Sequence, residues 1–237
     1  MNNRLHEYRS TATYSTLAIA GVGIVGLLHV PAIAIAVLQI MDPGRTLGSE
    51  PQLSLWLILQ SLFALLQFLA FVGSAIVFLM WLHRSSANLP GLGSESSDFT
   101  PGWTVGWWFI PFANLVKPFQ AVRHVWSESD PDVETSHGFL SSVQAGAPGF
   151  MMAWWAFWIL ANIASNVTSK MFDPEDMRTT ELSGYFFFID GILWIAAAAL
   201  AIKVIRSITS RQEERHRRVG DLLAPPPPPP TFEVQPN

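Results

Sequence analysis

The sequence predicts an all-α, polytopic membrane protein: a bundle of four transmembrane helices with a tryptophan-rich segment between the second and third. Half of the 237 residues are hydrophobic, only 14% are charged, and the mean hydropathy is +0.30, a balance typical of integral membrane proteins. The chain also contains long uncharged stretches, each close to or above the roughly 20 residues that a helix needs to cross a bilayer. Ten tryptophans strengthen this interpretation.

The first two spans are predicted at about residues 16–41 and 53–83. A signal peptide has an apolar region of only about 7–15 residues, so we expect the first span to be a retained membrane helix, kinked at Pro31. At about 1.5 Å of rise per residue, the second span is longer than the hydrocarbon core is thick. It is therefore expected to tilt or to project beyond the bilayer.

The last two spans are predicted at about residues 148–169 and 182–206, and the third begins with the aromatic residues expected of an interfacial belt. Residues 1–210 then form a single membrane domain. Residues 211–237 are expected to form a largely disordered cytoplasmic tail, first basic and then proline-rich. Its run E-E-R-H-R-R, residues 213–218, is either a charged helix end that projects into the cytoplasm or a site that binds anionic lipid. Its six prolines from Pro225 to Pro230 adopt an extended polyproline II form, which serves as a spacer or as a docking peptide.

The tryptophan-rich segment, residues 101–128, is too short and too often interrupted by proline to cross the membrane. We expect it to be interfacial or re-entrant, and from Pro118 onwards it is typical of an amphipathic, basic helix in a headgroup layer. It is either a lid, gate or partner-docking surface, or a passive interfacial anchor. The candidate surface consists of Trp103, Trp107, Trp108, Pro111, Asn114, Lys117, Pro118, Gln120, Arg123 and Trp126.

This segment also carries a resemblance to a known family. Residues Trp103, Gly106, Trp107, Trp108, Phe109, Pro111, Asn114, Leu115, Pro118 and Gln120 resemble the signature of a bacterial membrane family known as domain of unknown function 4328. Supporting matches lie at 81–88, at Trp154, Trp155 and Trp158, and at 205–212, so that the resemblance covers roughly residues 55–212. It implies about four membrane helices, with the tryptophan-rich segment between the second and third, and no particular activity.

Two ionisable residues fall within the predicted spans, where such groups are costly and rare: His29 in the first and Asp190 in the fourth. Their depths are close enough for a tilted pair to meet. They either form a protonatable pair in a transport path or pH sensor, or are each satisfied inside the bundle. Four amides complete the intramembrane polar set and either line a polar seam or hold helices together: Gln60, Gln67, Asn162 and Asn166.

The distribution of basic residues predicts the orientation. With four spans, both termini and the tryptophan-rich segment share one side of the membrane. That side holds eleven of the fourteen lysines and arginines; only Arg45, Lys170 and Arg178 lie on the other. By the positive-inside rule, we expect both termini to be cytoplasmic in a multi-pass protein of the cell's inner (cytoplasmic) membrane.

The sequence favours a non-enzymatic function. Motifs of hydrolases, metalloproteases, nucleotide-binding loops and dinucleotide folds are absent, and we expect no cofactor or catalytic residue. His124 and His137, near Asp130, Asp132 and Glu134, are more typical of a solvated face than of a metal site. A net charge of −4 argues against a nucleic-acid partner, and the absence of cysteine leaves the redox compartment open.

Two functional hypotheses remain. The favoured one is a membrane-embedded interaction or sensing module that meets the anionic cytoplasmic leaflet and either a protein partner or further copies of itself. The alternative is a small transporter or channel component with an intramembrane polar path. A water-filled cavity reaching His29 and Asp190 would favour the alternative, and a dry bundle would favour the module.

Overall fold

A computed structural model of the chain describes residues 8–42, 50–94, 99–132, 147–171 and 177–223. All regular structure in these ranges is helical, which confirms the all-α class. The α-helices are α1 (Ala12–Met41), α2 (Glu50–Ala87), α3 (Pro101–Gly106), α4 (Lys117–Glu128), α5 (Gly149–Met171) and α6 (Met177–Leu223). Four of them, α1, α2, α5 and α6, are long and apolar enough to cross a membrane, and the tryptophan-rich segment lies between the second and third, as predicted.

The helices extend beyond the predicted spans because a helix does not end where its apolar run ends. The first begins at Ala12 and continues through Pro31, and the second runs from Glu50 to Ala87. The largest difference is in α6, which begins at Met177 and continues to Leu223. Residues 211–223, the basic part of the predicted tail, are therefore helical. The proline run at 225–230 lies outside the described residues.

The spanning helices pack in the spatial order α2, α1, α6, α5. The last helix, α6, lies along both α1 and α5, and α1 lies along α2, while the backbones of α2 and α5 do not pack closely in the described structure. This leaves a side of the bundle between α2 and α5 where only side chains meet.

Glycines allow α1 and α6 to approach closely. A Cβ atom built on Gly191 would lie 2.5 Å from Ile33 Cγ1, and one built on Gly184 would lie 2.9 Å from Ile40 Cγ1. Small residues that permit close backbone approach are typical of helix interfaces in membranes, where no hydrophobic effect drives helices together.

The outer surface of the spans is apolar. Leu27 is 70% exposed, Phe68 60% and Leu62 58%, so large hydrophobic side chains face outwards along α1 and α2. This distribution is expected of helices surrounded by lipid, and the chain is a multi-pass membrane protein.

The best-packed core lies at the end of the bundle where α1 begins and α6 ends, here called the terminus side. We call this region the terminus-side platform: α6 from Ile205 to Arg218, helix α4, and the single 3₁₀ turn at Pro90–Leu92. Ile205, Ile208, Gln212 and Arg215 are all buried at helical spacing on one face of α6. That stripe is the physical reason why α6 does not give way to a disordered tail at residue 211.

Candidate functional site

The tryptophan-rich segment folds as a short helix, two 3₁₀ turns and a second helix. Thr100 caps α3, since its hydroxyl accepts a hydrogen bond from the Trp103 backbone N–H at 3.4 Å, and Pro101 occupies the first turn. The chain then reverses around Phe112, a non-glycine residue with a positive φ of 62°. Phe109 and Phe112 are 72% and 87% exposed. An apolar tip of this kind is typical of a segment that inserts its end into a bilayer.

The segment is fixed to two of the spans. The Thr104 and Ser86 hydroxyls are hydrogen-bonded at 3.2 Å, which joins α3 to the end of α2. The Trp155 indole N–H donates to the Leu115 carbonyl at 3.0 Å, which joins the second 3₁₀ turn to α5. The segment therefore bridges the side of the bundle that α2 and α5 leave open.

The three tryptophans at 103, 107 and 108 take two different roles. Trp108 turns inwards, and its ring meets Phe78, Trp155 and Trp158 edge-on at centroid distances of 5.5, 5.9 and 5.6 Å. Trp103 and Trp107 pair with each other at 4.8 Å, and the Lys117 ammonium lies 5.6 Å from the Trp107 ring centroid. Aromatic and cation–π contacts of this geometry are favourable.

The other residues of the predicted surface divide between core and exterior. Pro118 is buried in the first turn of α4, Pro111 and Gln120 are exposed, and Arg123 is half-buried. Trp126 belongs to the platform, since its indole N–H donates to Ser207 Oγ at 3.0 Å and the Arg211 guanidinium lies 4.0 Å from its ring. The ten predicted residues thus do not form one continuous outward face.

The platform is held by polar side chains of α6 that the sequence did not single out. Arg215 is 5% exposed and donates to the backbone carbonyls of Leu92 at 2.8 Å, Glu128 at 2.7 Å and Asp130 at 3.1 Å. Burial lowers the pKa of the Arg215 guanidinium, while the nearby Glu128 and Asp130 act in the opposite direction.

A second buried polar side chain, Gln212, lies one helical turn before Arg215. Its amide donates to the Ser85 carbonyl at 2.8 Å and to Ser129 Oγ at 3.1 Å. Together, Arg215 and Gln212 bind the ends of both α2 and α4 to α6.

Beneath the tryptophan-rich segment lies a cavity of about 340 Å³, here called the roofed pocket. Trp108, Phe109 and Asn114 of the segment form its roof, and the four spans form its walls. Aromatic and aliphatic side chains predominate. The wall residues are Val22, Val25, Phe71, Ser74, Ala75, Phe78, Leu79, Trp154, Trp158, Asn162, Trp194, Ala197, Ala198 and Ala201.

Next to the pocket, the two intramembrane ionisable residues are linked through other side chains. The His29 ring stacks on Trp194 at 5.6 Å, and His29 Nδ1 hydrogen-bonds the Val25 carbonyl at 2.7 Å. The Trp194 N–H donates to Ser165 Oγ at 3.0 Å, and the Ser165 hydroxyl donates to Asp190 at 2.6 Å. Neither His29 nor Asp190 lines the pocket. Ser165 and Trp194, which connect them, were not predicted.

Three of the four amides donate to separate partners. Gln67 Nε2 donates to the Leu28 carbonyl of α1 at 3.4 Å, which joins two spans. Asn162 and Asn166 each donate to the carbonyl four residues earlier in their own helix, at 2.8 Å. Gln60 is half-buried on α2. Of the four, Asn162 alone lines the roofed pocket.

The described ranges contain no group of three or more histidine, aspartate or glutamate side chains arranged to hold a metal ion. His124 is buried against Phe99, at a ring distance of 5.4 Å. Two other residues of that cluster, Glu134 and His137, lie outside the described residues.

The fold and the roofed pocket define a class: multi-pass helical membrane proteins in which a tryptophan-rich segment bridges one side of a four-span bundle. Within that class, the chain belongs to the family described as Domain of unknown function (DUF4328), whose model matches residues 46–210. The match covers the tryptophan-rich segment and the last three spans, and it confirms the resemblance drawn from the tryptophan motif. Comparisons with curated proteins and with solved structures gave no match.

Proposed function

We propose that this protein is a non-enzymatic interaction and sensing module of the inner (cytoplasmic) membrane. It binds an apolar ligand from the bilayer in the roofed pocket. The tryptophan-rich segment then transmits the effect of ligand binding to the platform. The observation that carries the proposal is the position of Trp108. Its ring forms part of the pocket roof, and its segment continues into α4, which Arg215 and Gln212 hold to α6.

The chemistry of the pocket supports this function over the alternative of a small transporter or channel component. A solute path would need polar groups that face a common water-filled space. Asp190 is instead bonded to Ser165, and Asn162 and Asn166 to their own helix. The pocket walls are mainly aromatic and aliphatic, a lining typical of sites for apolar ligands.

Filling the pocket tests the proposal. Ala75 lines the pocket from α2, whereas Ala64 on the same helix is exposed on the outer surface. Native mass spectrometry of protein extracted in detergent-free polymer nanodiscs is expected to detect one apolar molecule per wild-type chain. We expect that molecule to be retained in Ala64→Trp and lost from Ala75→Trp. Absence of a bound molecule in the wild type, or equal retention in both variants, would reject the proposal.

The sensing half of the proposal is tested by a second measurement, amide hydrogen exchange. Stripping the ligand from the wild type should accelerate amide hydrogen exchange in residues 103–116, since the roof then loses contacts on its inner face. Exchange in the outward-facing part of α2 around Ala64 serves as the internal reference. Unchanged exchange in the roof would leave a binding module without a sensing role.

The proposed orientation has both termini and the platform in the cytoplasm. Lys117, Arg123 and the exposed Lys203 then lie on the side of the anionic leaflet. Each charge near such a leaflet contributes roughly 1 kcal/mol of attraction. The platform also presents the surface on which a protein partner or a second copy of the chain would dock.

Protease protection tests this topology. Epitope tags at either end are expected to resist external protease in intact cells and to be cleaved after permeabilisation. A tag inserted after Met171, between α5 and α6, should be cleaved from outside and provides the control. Cleavage of both terminal tags in intact cells would reverse the orientation.

A further inference from the structure

We infer that the ligand of the roofed pocket is one acyl chain of an anionic glycerophospholipid drawn from the leaflet on the terminus side. The inference rests on the proposed function and names the ligand class for the same site. Three features lead to it: the depth of the pocket, its open side, and the polar groups at its outer end.

The pocket occupies one half of the bilayer. On α6 it extends from Ala201 to Trp194, and Ala201 lies two residues from the exposed Lys203. At 1.5 Å per residue, Trp194 lies about 14 Å below Lys203, which is roughly half the thickness of a 30 Å hydrocarbon core. A ligand in the pocket is therefore at the depth of the acyl chains of one leaflet.

The side of the pocket between α2 and α5 adjoins the lipid. Phe71 of α2 and Phe109 of the roof line the pocket and are also 38% and 72% exposed to the surroundings. Because the backbones of α2 and α5 do not pack against each other, a flexible chain can enter sideways between them. A volume of about 340 Å³ is at the lower end of the range for ligand pockets, which suits one chain, with the second chain remaining in the bilayer.

The polar groups lie at the end where a lipid carries its ester and phosphate groups. The Asn114 side chain lines the roof, and its amide N–H₂ can donate to an ester carbonyl. Lys117 follows three residues later, within about 10 Å along the chain. Lys203, exposed on α6 and 4.8 Å from the Phe150 ring centroid, lies at the same end. Neither lysine lines the pocket itself; both lie at its outer end, where their ammonium groups complement a phosphate that stays in the headgroup layer while one acyl chain enters the pocket.

The inference is tested by titrating delipidated protein in detergent with phosphatidylglycerol or phosphatidylcholine of identical chains, and counting bound lipids by native mass spectrometry. The wild type is expected to bind one phosphatidylglycerol with clear preference. Lys117→Gln and Lys203→Gln should each lower that preference about fivefold, the factor expected for one charge near an anionic lipid. Lys170→Gln, at the opposite end of α5, should have no effect.

Pocket filling distinguishes this inference from the proposed function. Ala75→Trp should abolish the preferred binding and Ala64→Trp should not; Leu79→Trp, on another lining residue, is the substitute if Ala75→Trp is not monodisperse. Equal binding of the two lipids, lost on pocket filling, would overturn the lipid assignment and leave the proposed function standing. Lipid binding that survives in both pocket-filling variants, Ala75→Trp and Leu79→Trp, would overturn the lipid assignment and the proposed function.

Discussion

Arg215→Ala is expected to lower the free energy of unfolding by about 3 kcal/mol or more. The substitution removes donors to three backbone carbonyls, the buried one of Leu92 and the partly buried ones of Glu128 and Asp130. Hydrogen bonds from a charged donor contribute more than neutral ones, and carbonyls left buried without a donor bear their full desolvation cost. Arg215→Lys should lose most of the same stability, because a single ammonium cannot reproduce the forked geometry of the guanidinium.

Thermal unfolding in detergent and hydrogen exchange of residues 117–132 would measure the effect. The control is Arg217→Ala, which removes an exposed arginine whose ion pair with Glu214 lies on the surface. Exposed pairs of this kind contribute at most about 1 kcal/mol, so the control should be almost neutral. Equal effects of the two alanine variants would show that Arg215 does not hold the platform together.

Gly191→Leu is expected to destabilise the bundle by about 3 kcal/mol through overpacking at the contact between α1 and α6. A side chain at this position meets Ile33 at once, because a Cβ atom would lie 2.5 Å from Ile33 Cγ1 and 3.6 Å from the His29 carbonyl. The isoleucine side chain can move, but the backbone of α1 cannot without losing contacts along its whole length. Gly191→Ala should therefore have a smaller effect in the same direction.

The matched control is Gly73→Leu in α2, where a Cβ atom would have nothing within 4 Å. This variant should be neutral or slightly stabilised, since leucine favours the helix over glycine by roughly 0.5–1 kcal/mol. Combining Gly191→Ala with Ile33→Ala should recover part of the loss if the contact is the cause. The melting temperatures of these variants are compared in one detergent. A Gly191→Leu protein that melts at the wild-type temperature would rule out close packing between α1 and α6 at this position.

The four spans could be predicted because the length of an apolar run is set directly by the thickness of the bilayer. The end of α6 could not, since that rule is silent on where a helix stops outside the lipid. A signal was nonetheless present: Ala201, Ile205, Ile208, Gln212 and Arg215 recur at intervals of three or four residues, the periodicity of a buried helical face. It was obscured because the last two positions are polar, and such residues are usually assigned to a solvated surface.

The site was predicted less completely than the fold, for a different reason. Trp103, Trp107 and Trp108 are chemically alike and close together, and which of them turns inwards depends on Phe78, Trp155 and Trp158, contributed by other helices. Likewise, His29 and Asp190 stood out because charge within a span is rare, whereas the residues connecting them are common in membrane helices. Rarity identifies individual residues, but only tertiary contacts reveal their partners.

Arg215 follows all three of its backbone acceptors in the chain, and this sets the order of events during synthesis. Its acceptor at Leu92 is separated from it by 123 residues, and the acceptor at Glu128 by 87. At roughly 5–20 residues per second, the ribosome finishes these acceptors about ten seconds before it makes the arginine. Until then the carbonyls in the turn after α2 and at the end of α4 lack this donor. The platform can therefore be completed only after the end of α6 has been made. A chain that stops before residue 211 contains the four described spans but lacks Gln212 and Arg215, the two side chains that bind the ends of α2 and α4 to α6.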